Sequence, residues 1–161
     1  MKNLKYLMIH CTATQEGKEL TAEDIRRMHT SPPPKGRGWK QVGYSDMIHL
    51  TGLVTNLVPY DDDNIVQPRE ITNGAIGLNG VTRHVVYVGG VERDGKTPKD
   101  TRTDAQLLAL TNYVKNMVAH HPDIEILGHN QVEAKACPSF NVPTWLKTIG
   151  VDEKNIYKKR R

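Results

Sequence analysis

The sequence predicts an α/β fold: a single domain with a central mixed β-sheet flanked by α-helices. Three observations lead there. Short apolar runs of alternating face interleave with segments of helical period, no internal repeat or linker divides the chain, and 161 residues suffice to bury one core.

The elements follow in order. Leu4 to Cys11 reads as the first strand, with Tyr6, Met8 and His10 on one face and Leu7, Ile9 and Cys11 on the other. Thr21 with Asp24 three positions on is a helix start. That helix turns Ile25 and Met28 inward and stops by Ser31, because Pro32-Pro33-Pro34 cannot continue it. Lys35 to Gln41 is a loop, and Tyr44–Leu50 with Val54–Val58 form a hairpin around Thr51-Gly52. Pro59 to Thr82 lacks periodicity and reads as a long surface excursion, a length that small domains reserve for function or mobility. Glycines 74, 77 and 80 fall there at turn spacing, not at the dinucleotide-binding spacing. His84 to Val88 is a further apolar strand, closed by Gly89-Gly90, and Val91 to Arg102 is a polar loop. Thr103 caps a helix from Asp104 to about His120, whose stripe is Leu107, Leu110, Val114, Met117 and Val118. A short strand, Ile124 to Leu127, and a last helix, Val142 to Ile149, complete the domain, and a basic, mobile tail is expected over residues 152–161.

Composition excludes little. No apolar run approaches the roughly twenty residues of a membrane helix. The first ten residues end in His10 without a small-residue cleavage site, so a buried strand is expected there instead of a signal peptide, with synthesis in the cytoplasm. The net charge of +4 suits an anionic wall polymer and a nucleic acid equally. Cys11 and Cys137, in a chain expected to be cytosolic, favour metal binding or plain burial over a disulfide.

The chemically distinctive residues are His10 at a strand end and the run Gly128-His129 through Lys135-Ala136-Cys137-Pro138-Ser139-Phe140. Two imidazoles and a thiolate would hold zinc while leaving a fourth position open for water, the mark of a catalytic site. Spacing alone leaves the alternatives standing. A lone cysteine is ordinarily a small buried hydrophobe, Lys135 a solvated lysine and Tyr44 an amphipathic strand residue. His29, near a helix end, suits the dipole as a cation, and His49, His84, His120 and His121 read as ordinary strand or helix-end residues, with a place behind a metal ligand as the alternative for any one of them.

Four blocks add more: Ile9-His10-Cys11-Thr12-Ala13-Thr14, Gly38-Trp39-Lys40-Gln41-Val42-Gly43-Tyr44, Val88-Gly89-Gly90, and Gly128-His129 through Phe140. In these the chain resembles the type 2 N-acetylmuramoyl-L-alanine amidases, within them the short phage amidases traditionally called lysozymes. The resemblance implies that His10, His129 and Cys137 hold one zinc ion, and that Tyr44 and Lys135 serve catalysis without being needed for the metal. It implies a hydrolase that cleaves the amide between N-acetylmuramic acid and L-alanine, with peptidoglycan as partner and reached after release through a pore or by lysis. Nucleic acid and membrane are not expected as partners, and a monomer is the default. Ile71-Thr72-Asn73-Gly74 and Val81-Thr82-Arg83-His84 depart from the phage pattern, leaving Asn73 and His84 as candidates for substrate contact. The competing reading is a peptidoglycan-binding module without catalysis. Such proteins lose the cysteine ligand, whereas Cys137 is present here.

Overall fold

The computed structural model describes residues 1–160. A five-stranded sheet organises the chain, in the order β5 (Val54–Asn56), β4 (Asp46–Ile48), β7 (Thr82–Tyr87), β2 (Tyr6–Cys11) and β9 (Glu125–Gly128). β4, β7, β2 and β9 run parallel, and β5 closes one edge as the antiparallel arm of the expected hairpin. Two-stranded pairs join β1 (Lys2–Asn3) to β6 (Ile65–Val66) and β3 (Thr14–Gln15) to β8 (Gly90–Val91).

Strand alternation sorts the two faces. Leu7, Ile9 and Cys11 of β2, with Val85 and Tyr87 of β7, pack beneath α2 (Asp104–His120) and α3 (Val142–Thr148). On the opposite face, Val86 and Met47 meet Ile25 of α1 (Ala22–Thr30), while Met8 and Leu127 meet Ala75 from the long excursion. His10 belongs to this second face, so the sheet itself aims it away from the largest helix.

Both long helices start as their sequences dictate. Thr21 accepts from Asp24 N–H and Thr103 from Gln106 N–H, each with a reciprocal side-chain bond that closes a capping box. Two helix-face expectations are corrected. In α1, His29 is buried at 6% exposure while Met28 lies 38% exposed, because Ile25 and His29 stand one turn apart on the inward face. In α2, Gln106 takes the innermost place ahead of Leu107. Its Nε2 donates to Ile48 O (3.3 Å) and Val88 O (3.0 Å), satisfying carbonyls at strand ends that no apolar residue could serve.

The excursion is not loose. Two 3₁₀ turns, Pro68–Glu70 and Asn79–Val81, punctuate it, and the buried Glu70 accepts the N–H groups of Asp61 (2.9 Å) and Gln67 (3.1 Å). Of the tail expected over residues 152–161, Arg161 lies outside the described residues, and the first part packs against the domain. Asn155 is fully buried, its Nδ2 donating to Pro122 O and Ile124 O at 2.8 Å each, and Tyr157 N–H donates to Ile126 O. Lys158, Lys159 and Arg160 are exposed.

Candidate metal centre

The carboxyl ends of parallel strands deliver the candidate ligands, as they do in α/β sheets generally. His10 is the penultimate residue of β2, His129 follows β9 directly, and Cys137 comes from the loop leading into α3. That loop is pinned from beneath. Ser139 Oγ donates to Gly90 O (2.7 Å), and the Tyr87 hydroxyl donates to Pro138 O (2.6 Å). Gly90 is required here: its φ is +106°, and a Cβ on it would stand 2.3 Å from Cys11 Sγ. Among the described residues, the two non-glycines with positive φ are Ala13 (56°) and Ser139 (70°), each two positions past Cys11 or Cys137. Such sparsely populated backbone clusters where function fixes it.

His10, His129 and Cys137 each offer one donor atom, and these lie within 4.8 Å of one another. His10 Nδ1 stands 3.6 Å from Cys137 Sγ. With Zn–N about 2.1 Å and Zn–S about 2.3 Å, neighbouring donors of a tetrahedral ion lie about 3.6 Å apart, so the residues fit zinc. A second observation agrees: His129 Nε2 is buried without a well-aligned hydrogen bond, although Glu133 Oε2 is 3.1 Å away. Cys11 N–H donates to Cys137 Sγ at 3.3 Å, an interaction that strengthens as the sulfur acquires charge.

The protonation state of His10 suits coordination. Burial, and then the neighbouring His84, His129 and Lys135, hold His10 well below the usual imidazole range, so it is neutral as a ligand must be. Without metal, the hydrogen bond with Cys11 and burial push the Cys137 thiol up. A coordinated divalent ion would reverse that and deprotonate it.

Tyr44 precedes β4 and lays its ring 5.2 Å from that of His10 and 5.2 Å from that of His29. Burial, and then the nearby sulfurs of Cys137 and Cys11, raise its phenol, which therefore stays protonated as a donor. Lys135 stands at the rim, its side chain 52% exposed and Nζ 3.3 Å from Glu133 Oε2. All five residues line one open cleft of about 600 Å³, together with Arg37, Trp39, Asn73 and Ile76.

The two candidates from the departing segment part ways. Asn73 lines the cleft, anchored by Nδ2 to Gln41 O at 2.8 Å. His84 is fully buried beneath His10 and does not reach the cleft surface. His49 is bound to Glu19 and Thr55, and His120 and His121 lie by Asp62, all outside the cleft. Sequence reading missed the place of His29. Its Nδ1 accepts Gly43 N–H at 2.9 Å, and burial followed by the Arg37 charge lowers its pKa to about 4. It is thus a neutral acceptor that fixes the turn carrying Tyr44, not a cation on a helix dipole. The i, i+4 spacing from Ile25 was the available signal.

Comparison with known proteins agrees with this architecture. Residues 1–140 match the sequence profile of the family described as N-acetylmuramoyl-L-alanine amidase. The endolysin of Enterobacteria phage K11 is 31% identical over 140 residues, covering 87% of this chain and 83% of that protein. Two solved structures share the fold. The Ph2119 endolysin, from a Thermus scotoductus bacteriophage, superposes with a TM-score of 0.67 at 23% identity, over 98% of this chain and 88% of its own. The N-acetylmuramoyl-L-alanine amidase LysC of Clostridium intestinale superposes with a TM-score of 0.69 at 18% identity, over 93% and 87%. On the extent of the profile match and the relatedness to a phage endolysin, the chain belongs to the type 2 N-acetylmuramoyl-L-alanine amidase family.

Proposed function

We propose that the chain is a zinc-dependent hydrolase of the amide bond between N-acetylmuramic acid and L-alanine in peptidoglycan, acting in cell-wall lysis as an endolysin. The observation that carries the reading is the 3.6 Å approach of His10 Nδ1 to Cys137 Sγ, with a His129 donor in reach, at the floor of an open cleft.

His10, His129 and Cys137 would hold the ion. Bound there, zinc supplies Lewis acidity toward the scissile carbonyl and lowers the pKa of water to about 7. The remaining work falls to the protein. Lys135, half-exposed on the rim, brings an ammonium to the oxygen that gains negative charge as the carbonyl is attacked. Glu133, between His129 and Lys135, keeps that ammonium near the centre before substrate arrives. Tyr44, held protonated beside His10, donates a hydrogen bond to the same region or orients the attacking water. Trp39 and Ile76 offer apolar surface along the cleft, and Arg37 and Lys40 offer positive charge, matched to a sugar ring and an acidic stem peptide.

The test is digestion of purified peptidoglycan by zinc-loaded protein, by protein treated with a chelator, and by Lys135→Ala. The wild type should release new L-alanine amino termini and lactyl ends. Chelation should abolish release and added zinc restore it, and Lys135→Ala should bind zinc stoichiometrically yet lose turnover. Tight zinc and wall binding without cleavage would instead make the chain a peptidoglycan-binding module. Failure to bind zinc would refute the proposal.

A further inference from the structure

Behind His10 lies a three-link chain of hydrogen bonds that the proposed reaction does not use. His84, on β7, is a diagonal neighbour of His10 on the same face of the sheet: Met8 pairs with His84 and His10 with Val86. His10 Nε2 lies 2.8 Å from His84 Nδ1, and His84 Nε2 lies 2.9 Å from Asn79 Oδ1. Asn79 Oδ1 also receives Ala75 N–H at 2.9 Å.

The direction of every proton in this chain follows from its far end. A backbone N–H can only donate, so the Asn79 atom facing Ala75 is the carbonyl oxygen. That oxygen cannot donate, so the hydrogen between it and His84 sits on His84 Nε2. His84 is completely buried, with no carboxylate in contact, so it is neutral and its Nδ1 is bare. The hydrogen between the two rings therefore belongs to His10 Nε2. What remains is His10 Nδ1, unprotonated, 3.6 Å from Cys137 Sγ. Both His84 nitrogens are occupied, which bars it from being a fourth ligand.

We infer that His84 is a positioning residue which, anchored by Asn79, fixes the tautomer and ring orientation of His10 so that Nδ1 is presented to the metal. The inference rests on the zinc reading proposed above. An outer-shell acceptor of this kind makes the ligand nitrogen more basic and removes the reorganisation that binding would otherwise require. Gly74 belongs to the same device, since a Cβ there would lie 2.3 Å from His84 Nδ1.

Two measurements test this. The first needs no variant: long-range proton–nitrogen correlation of the metal-free wild type. Pyridine-type Nδ1 and pyrrole-type Nε2 signals are expected for both His10 and His84. The opposite tautomer at His10 would overturn the inference. The second is zinc affinity by chelator competition. His84→Leu should weaken binding about 10- to 100-fold. His84→Asn, whose Oδ1 occupies the place of Nδ1, should restore most of the loss, which a merely structural role would not predict. Tight zinc binding by the wild type that His84→Leu leaves unchanged would refute the positioning role alone. A wild type that binds no zinc, with the tautomers as stated, would refute the metal reading itself.

Discussion

Protonation of His29 should unlock the wall of the cleft that carries Tyr44, and its cost follows from the structure. His29 Nδ1 accepts Gly43 N–H, so only the neutral ring keeps that bond. Its pKa falls from 6.5 in a free chain to about 4 in the fold, chiefly through burial. The sign follows. Between those values the unfolded chain binds the proton and the folded chain resists it, so stability is full above pH 6.5 and is lost as pH falls toward 4. At 1.36 kcal/mol per pKa unit, lowering the pH from 7.5 to 4.5 should cost about 2.5 kcal/mol through this residue. The comparison is urea unfolding of wild type and His29→Asn, both zinc-free, at the two pH values. Asparagine can still accept from Gly43 but does not titrate. Other groups, His10 and His84 among them, contribute alike to both proteins, so the wild type should lose about 2.5 kcal/mol more than the variant. Equal losses would refute the assignment of His29 as a buried neutral acceptor.

Further expectations concern the metal and the packing around it. Zinc binding at pH 7.5 should release close to one proton, because the Cys137 thiol is held protonated in the metal-free protein and must ionise to coordinate; calorimetry in buffers of different ionisation enthalpy measures it. By the same linkage, zinc affinity should fall as the pH is lowered from 7.5. Gly74→Ala should weaken zinc binding without touching a ligand, since the new methyl displaces the His84 ring; affinity equal to wild type would show that the ring has room to yield. At the far side of the sheet, buried Asp46 accepts from the hydroxyls of Tyr113 (2.6 Å) and Tyr60 (2.7 Å) and from Asn56 Nδ2 (2.9 Å). Tyr113→Phe should cost about 0.5–1.5 kcal/mol in urea unfolding, the net worth of a typical hydrogen bond, while leaving zinc affinity intact.

What the sequence disclosed and what it hid divide along a physical line. Strand alternation and helix capping are local, so the faces of β2, the boundaries of α2 and the box at Thr21 could be read directly from neighbouring residues. His10, His129 and Cys137 lie far apart in the chain and share no generic ligand spacing. Only the resemblance of whole blocks brought them together before the structure did. The residues misjudged are those whose environment comes from distant segments. His29 meets Gly43, Gln106 meets Ile48 and Val88, and Asn155 meets Pro122 and Ile124, and each of these polar side chains satisfies backbone groups that nothing nearby in sequence would satisfy.

That pattern bears on the centre itself. A polar residue placed inward against its propensity is stable only when its partners are supplied, and in this fold backbone groups supply many of them. Gly43 N–H makes His29 an acceptor, Ala75 N–H sets the orientation of Asn79 and through it two imidazoles, and Cys11 N–H points at the sulfur of Cys137. Backbone donors cannot rotate away or titrate. On the inference drawn above, they would fix the protonation pattern around His10 before any ion arrives, so the excursion from Pro59 to Thr82, which reads in sequence as surface loop, would carry through Ala75 and Asn79 part of what prepares the candidate metal site.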